Sequence, residues 1–105
     1  MPAGTQYVAS FLGWFYATSG RRAEALRVAR QFQDFSAHAY VDFYYLALIY
    51  AGMGDKDEEF HWLEKAYEEH SATLPYLGVD VFWNNIHPDP RYADLVHRMG
   101  MPAPN

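Results

Sequence analysis

FLGWFYATSGRRAEAL, residues 11–26, and YLALIYAGMGDKDEEF, residues 45–60, align without a gap at a spacing of 34. Leu12 pairs with Leu46, Gly13 with Ala47, Tyr16 with Tyr50 and Gly20 with Gly54. Self-similarity at a fixed period of some tens of residues is the mark of stacked supersecondary units. Each stretch has an apolar run with Leu and Tyr spaced by four, then Gly, then a charged run. That order reads as helix, turn, helix.

The spacing predicts a first helix over about 5–19, stopped by Gly20, which accepts the left-handed conformation other residues resist. A second follows over about 22–35, with Ala25, Leu26, Ala29 and Phe32 on one side. A third is expected over about 40–53, ended by Gly54. Asp55 then caps a fourth to about residue 70, with Phe60, Leu63, Ala66 and Tyr67 as its stripe. Turns this short make sequential helices antiparallel. Beyond them the pattern degenerates. Residues 71–79 read as a short helix interrupted by Pro75 and Gly78, and 80–86 as a tight turn carrying apolar side chains. Asp89 caps a last helix with Pro90 at its first position, and Gly100 closes it. Tyr92, Leu95, Val96 and Met99 form its apolar face, and a helix with one polar side is what a stack needs to stop. The expected fold is all-α. It is one domain over 1–105, with units at 6–39 and 40–73, an irregular unit with a capping helix over 74–100, and a tail, 101–105, that reads as a true end.

Composition bounds the functions. Half of the 105 residues are apolar and 19 are Phe, Tyr or Trp, so an ordered core is expected. A chain of this length buries roughly 60–70% of its unfolded surface, enough for one modest core. The net charge of −5 argues against duplex nucleic acid, which needs a basic surface. The absence of cysteine excludes disulfides, thiolate catalysis and zinc–cysteine sites, and a cytoplasmic location is expected. No apolar run approaches the ~18 residues of a membrane span, and no membrane partner is expected. Met1-Pro2-Ala3-Gly4 lacks the basic start of a secretory signal and reads as the edge of a longer chain.

The repeat resembles the tetratricopeptide family. Ala9, Leu12, Gly13, Tyr16, Ala25, Ala29 and Phe32 stand at its pattern positions in the first unit, and Phe43, Leu46, Ala47, Tyr50, Glu59, Leu63 and Ala66 in the second. Ala9, Glu59 and Phe32 depart from the residue types of the family. Glu59 falls where two helices approach closely, and disturbed packing is expected there. The stretches LALIYAGMGDKDEEFHWLEKAYEEHS, 46–71, and HPDPRYADLVHRMG, 87–100, look like the closing repeats of multidomain bacterial regulators. The resemblance implies a short right-handed solenoid acting as a protein-interaction scaffold. It puts Leu12, Tyr16, Leu46 and Tyr50 in the core. It puts Tyr7, Ser10, Trp14, Val41, Tyr44 and Leu48 on the concave face, with Phe11 and Tyr45 beside it. Clamps for a peptide's C-terminal carboxylate carry Lys and Asn where this chain has Ser10 and Trp14, so that mode is disfavoured. An apolar groove remains, and Tyr and Trp dominate binding energy at interfaces.

No catalytic constellation emerges, and no enzyme, cofactor or metal is expected. Asp55-Lys56-Asp57-Glu58-Glu59 is acidic, but Phe60 stands where a calcium loop requires glycine. Carboxylates there suit the positive end of a helix dipole. His38, His61, His70, His87 and His97 are scattered, and the pair His61 and Glu64 falls short of the three or four ligands zinc needs. Residues 55–70 carry seven acids and two lysines, and 21–34 carry four arginines and two acids. Attraction between those two helices is expected. Two partners fit the aromatic excess: an apolar or amphipathic protein segment in the groove, or a second copy of the chain. Val8 and Phe15, on the leading face of the first helix, have no upstream neighbour and would be the self-association face.

Overall fold

The computed structural model describes residues 3–78 and 81–100, which hold helices and no strand. Helix α1 spans Ala3–Thr18, α2 Arg22–Ser36, α3 Phe43–Met53, α4 Lys56–Glu68 and α5 Pro90–Arg98. Two 3-10 turns, Leu74–Gly78 and Val81–Trp83, lie between α4 and α5. The tail 101–105, the first two residues, and Val79 and Asp80 of the expected third unit lie outside the described residues.

One closing motif ends α1, α3 and α4. Arg21 N–H donates to Tyr16 O, Asp55 N–H to Tyr50 O and Ser71 N–H to Ala66 O, at 2.8, 3.2 and 2.9 Å. Each bond wraps back over a residue in the left-handed region: Gly20, Gly54 and His70, with φ of 83°, 72° and 56°. The motif satisfies carbonyls that the helix itself cannot.

Helix starts follow side-chain caps. Asp55 accepts from Glu58 N–H at 3.3 Å, and Asp89 accepts from Arg91 N–H at 2.9 Å with Pro90 opening α5. The third helix begins three residues later than its apolar pattern predicts. Asp42 is its N-cap, held extended at φ −83° and ψ 109°, and its carboxylate accepts from Tyr44 N–H at 3.1 Å. An aspartate offering that bond keeps Tyr40 and Val41 out of the helix. The expected short helix over 71–79 is instead a bend followed by 3-10 geometry. Pro75 has no N–H to give to a helix interior.

α3 is the centre. It packs against α1, α2 and α4, and residues 46–50 are buried without interruption. A helix with no polar side belongs inside, and FYYLALIYAGM has no charged residue. Leu46, Ile49 and Tyr50 join Ala25, Val28, Ala29, Phe32 and Val41 on the α2 side. Tyr44, Ala47 and Leu48 join Phe60, Leu63, Trp83, Leu95 and others on the α4–α5 side. α1 reaches α3 through two glycines. A Cβ on Gly13 would lie 2.8 Å from Ile49 Cγ1, and one on Gly52 would lie 2.9 Å from Trp14 Cδ1.

Two expectations are corrected. Leu12, expected in the core, is 45% exposed, because no described element packs on that side of α1. Its counterpart Leu46 is fully buried because α1 and α2 do precede α3. Glu59 is fully buried where α3 and α4 pack, with its Oε1 accepting from Asn85 Nδ2 at 3.0 Å and its Oε2 without a partner among the described residues. The acids of α4 do not pair with the arginines of α2. Among the described residues, Asp57 pairs with Arg91 and Glu64 with Arg98, both from α5. Each pair spans 34 residues, the period of the repeat. Arg91 also lies 4.5 Å from the Phe60 ring centroid, and Arg98 lies 5.3 Å from that of Tyr67. Guanidinium stacking and pairing thus hold α5 on α4.

Candidate functional site

A pocket of about 330 Å³ opens where α1, α3 and the segment after α4 meet. Tyr7 and Phe11, one helical turn apart, supply one wall from α1. Tyr44, Tyr45 and Leu48 supply another from α3, and Thr73, Tyr76 and Phe82 close it from the irregular segment. Six of these eight are aromatic, and none carries a charge.

The rings form a connected series. Phe82 meets Phe11 at a centroid distance of 5.3 Å, Phe11 meets Tyr7 at 4.9 Å, Tyr7 meets Tyr45 at 6.0 Å and Tyr45 meets Tyr44 at 5.9 Å. The four interplanar angles lie between 74° and 84°. Edge-to-face contacts bring the positive rim of one ring to the negative face of the next, which fixes the walls relative to each other. Trp83, one residue beyond Phe82, passes behind the pocket and donates its indole N–H to the Tyr44 hydroxyl at 2.9 Å.

Asp42 anchors the floor. Its carboxylate accepts from Ser71 Oγ at 2.7 Å and from Thr73 Oγ1 at 2.6 Å, in addition to the helix cap. Its own N–H donates to Gln6 Oε1 at 2.9 Å, which ties α1 to the same point. The residue is only 6% exposed. Burial, with the charges of Asp42 and Glu69 adding, raises the pKa of the nearby Tyr40. The Asp42 carboxylate sits one hydrogen bond behind the wall that Thr73 presents.

The sequence-derived residues divide. Tyr7, Phe11, Tyr44, Tyr45 and Leu48 line the pocket, though Tyr44 and Leu48 are each only 4% exposed and show it little more than an edge. Ser10 is not on a surface. It is fully buried, and its hydroxyl donates to Tyr7 O at 2.7 Å, as a serine inside a helix does when no water reaches it. Val41 is 3% exposed and belongs to the core on the α2 side. Trp14 is half-buried, wedged between Gly52 and Phe82, with the Phe82 ring centroid at 5.0 Å. It packs behind the pocket rather than lining it. Thr73, Tyr76 and Phe82 were not anticipated, since they lie in a segment with no helical period. Val8 and Phe15 are 66% and 56% exposed on the far side of α1.

Among the described residues no three His, Asp or Glu side chains converge as metal ligands would. No helix there is long and apolar enough to cross a membrane. No family model matches the chain, and no curated protein or solved structure matches it either.

Proposed function

We propose that this chain is a protein-interaction module of the tetratricopeptide type, and that it takes an amphipathic protein segment into the pocket between α1, α3 and the irregular unit. The observation that carries this reading is the lining: six aromatic side chains from three parts of the chain around one opening. Tyr7 and Tyr76 keep 51% and 57% of their surface exposed at that opening. Large rigid rings lose little entropy on binding and dominate interface energetics. The repeat reading is supported by the period of 34, which recurs in the paired arginines of α5 and in the left-handed caps at Gly20 and Gly54. By the same resemblance the module serves as an adaptor at the C-terminal side of a larger bacterial cytoplasmic regulator.

The test uses Tyr7→Ser and Tyr76→Ser, which remove exposed rings and leave the core alone. Peptides selected from a random library on the wild-type chain should lose at least ~10-fold in affinity for either variant, since a central aromatic anchor contributes ~2 kcal/mol or more. Selected peptides that bind both variants as before would move the interface elsewhere.

A second reading, self-assembly, rests on a different observation. The 16 residues of α1 include no charged side chain, although Val8, Leu12 and Phe15 are exposed along one side. The residues 34 positions beyond Leu12 and Phe15 are Leu46 and Ile49, both fully buried. A second copy laid across this side would cover it.

A further inference from the structure

The pocket is aromatic, but its electrostatics are not neutral. The faces of aromatic rings carry negative potential, and cations are drawn to them within about 6 Å of the centroid. Successive rings here stand at 74–84° to one another and together line one opening. Among the described residues no Lys, Arg or His lines the pocket to oppose an incoming cation. Behind Thr73 lies the Asp42 carboxylate, whose hydrogen bonds come from two hydroxyls and one backbone N–H, all uncharged. None of the ion pairs among the described residues includes it. A carboxylate so placed puts a negative group close behind the pocket wall. The chain as a whole, at −5, draws a basic segment to it.

We propose, building on the segment-binding reading, that the side chain anchoring the segment in this pocket is an arginine: its guanidinium enters the box formed by Tyr7, Phe11, Tyr45, Tyr76 and Phe82, toward Thr73 and the charge of Asp42. The planar guanidinium stacks on rings more readily than an ammonium does, and its N–H fork can meet phenol and threonine oxygens. This chain uses the same pairing internally. Arg21, Arg91 and Arg98 each lie over an aromatic ring, at 4.9, 4.5 and 5.3 Å from the centroid. The segment implied is basic and amphipathic rather than wholly apolar.

The experiment compares three capped tripeptides, Gly-Arg-Gly, Gly-citrulline-Gly and Gly-Leu-Gly, titrated into the isotopically labelled full chain and followed by nuclear magnetic resonance. Citrulline keeps the shape of arginine and lacks its charge. The arginine peptide should shift the Thr73 and Tyr76 amides saturably and bind at least ~10-fold more tightly than either other peptide, with the advantage shrinking in high salt. Asp42→Asn, which can keep the helix cap, should reduce that advantage several-fold. Because Asp42 also organises the floor, Tyr76→Leu serves as the second variant: it keeps apolar bulk at an exposed position and should reduce arginine binding without lowering the melting temperature. Equal binding of arginine and citrulline, or tighter binding of leucine, overturns the arginine anchor and leaves the apolar segment reading standing. If no peptide moves the pocket resonances, the arginine anchor is overturned as well, and library-selected peptides then decide whether the pocket binds segments at all.

Discussion

Trp83 Nε1 donates a 2.9 Å hydrogen bond to the Tyr44 hydroxyl, and both side chains are buried. The bond crosses 39 residues and locks the second 3-10 turn onto α3. It places Tyr44 in the core rather than openly on the concave face where the resemblance puts it. Tyr44→Phe leaves the indole N–H buried without its acceptor and should cost about 1–3 kcal/mol. Once Trp83→Phe has removed the donor, losing the hydroxyl should cost much less. A double-mutant cycle by urea denaturation reads the difference. Additive effects within ~0.5 kcal/mol would mean the bond contributes nothing.

How far the sequence carried depends on which elements repeat. Gly54, Asp55, Asp89 and Pro90 each act through local backbone chemistry, and the helix ends they imply are where the structure has them. Asp42 acts locally too, but the aromatic pattern running from Tyr40 masked it. Leu12 and Leu46 hold the same repeat position and differ completely in burial, because burial depends on the neighbouring unit rather than on the residue. Five pocket residues sit on α1 and α3, where the helical period gives their direction. Thr73, Tyr76 and Phe82 sit where Pro75 breaks that period, so nothing in the sequence aims them. The pairing of Asp57 with Arg91 and of Glu64 with Arg98 was readable as two matched spacings of 34. The larger positive count on α2 drew the expectation away from it.

Glu59 makes stability depend on pH. Burial, only partly offset by the hydrogen bond from Asn85 and by Lys56 and Arg91, raises its pKa from 4.5 to about 7, and Asp55 adds to the rise. Its Oε2 has no partner among the described residues. Between about pH 4.5 and 7 the folded chain holds a proton there that the unfolded chain has lost. Stability should therefore fall as pH rises across that interval, by roughly 2–3 kcal/mol from this group. Glu59→Gln should remove most of that slope and be the more stable form at pH 8. Chemical denaturation at pH 5 and pH 8 measures both, and an unchanged slope in the variant would assign the pH dependence to other groups.

The left-handed caps give opposite signs at two positions. Gly54 sits at φ 72° and a Cβ there would meet nothing within 4 Å, so the cost of Gly54→Val comes from the backbone conformation. It should lose at least ~1 kcal/mol, because a β-branched side chain resists this region. His70 holds φ 56° without being glycine, and its side chain is exposed. His70→Gly should gain up to ~1 kcal/mol, the relieved strain exceeding the added freedom of the unfolded chain. Thermal melts of the two variants should move in opposite directions. A fall for His70→Gly would mean that the imidazole makes a stabilising contact the cap geometry does not reveal.

The uncharged side of α1 gives the last prediction. Val8, Leu12 and Phe15 lie at helical spacings of four and three along it, at 66%, 45% and 56% exposure. Two α1 helices laid antiparallel about Leu12 would set Val8 of each near Phe15 of the other, a self-complementary arrangement of the kind a two-fold dimer requires. No charge on α1 opposes it. Leu12→Glu with Phe15→Lys should leave helical content intact, because neither side chain is in the buried core, and should make the chain monomeric at all concentrations. The wild type should gain mass with concentration in light scattering after gel filtration. The pocket lies on other residues, so binding of library-selected peptides should survive the double change. A wild type that stays monomeric up to millimolar concentration would sink the self-assembly reading while leaving the pocket untouched. A double variant that still associates would move the contact off α1, toward the exposed rings of Tyr40 and Tyr76.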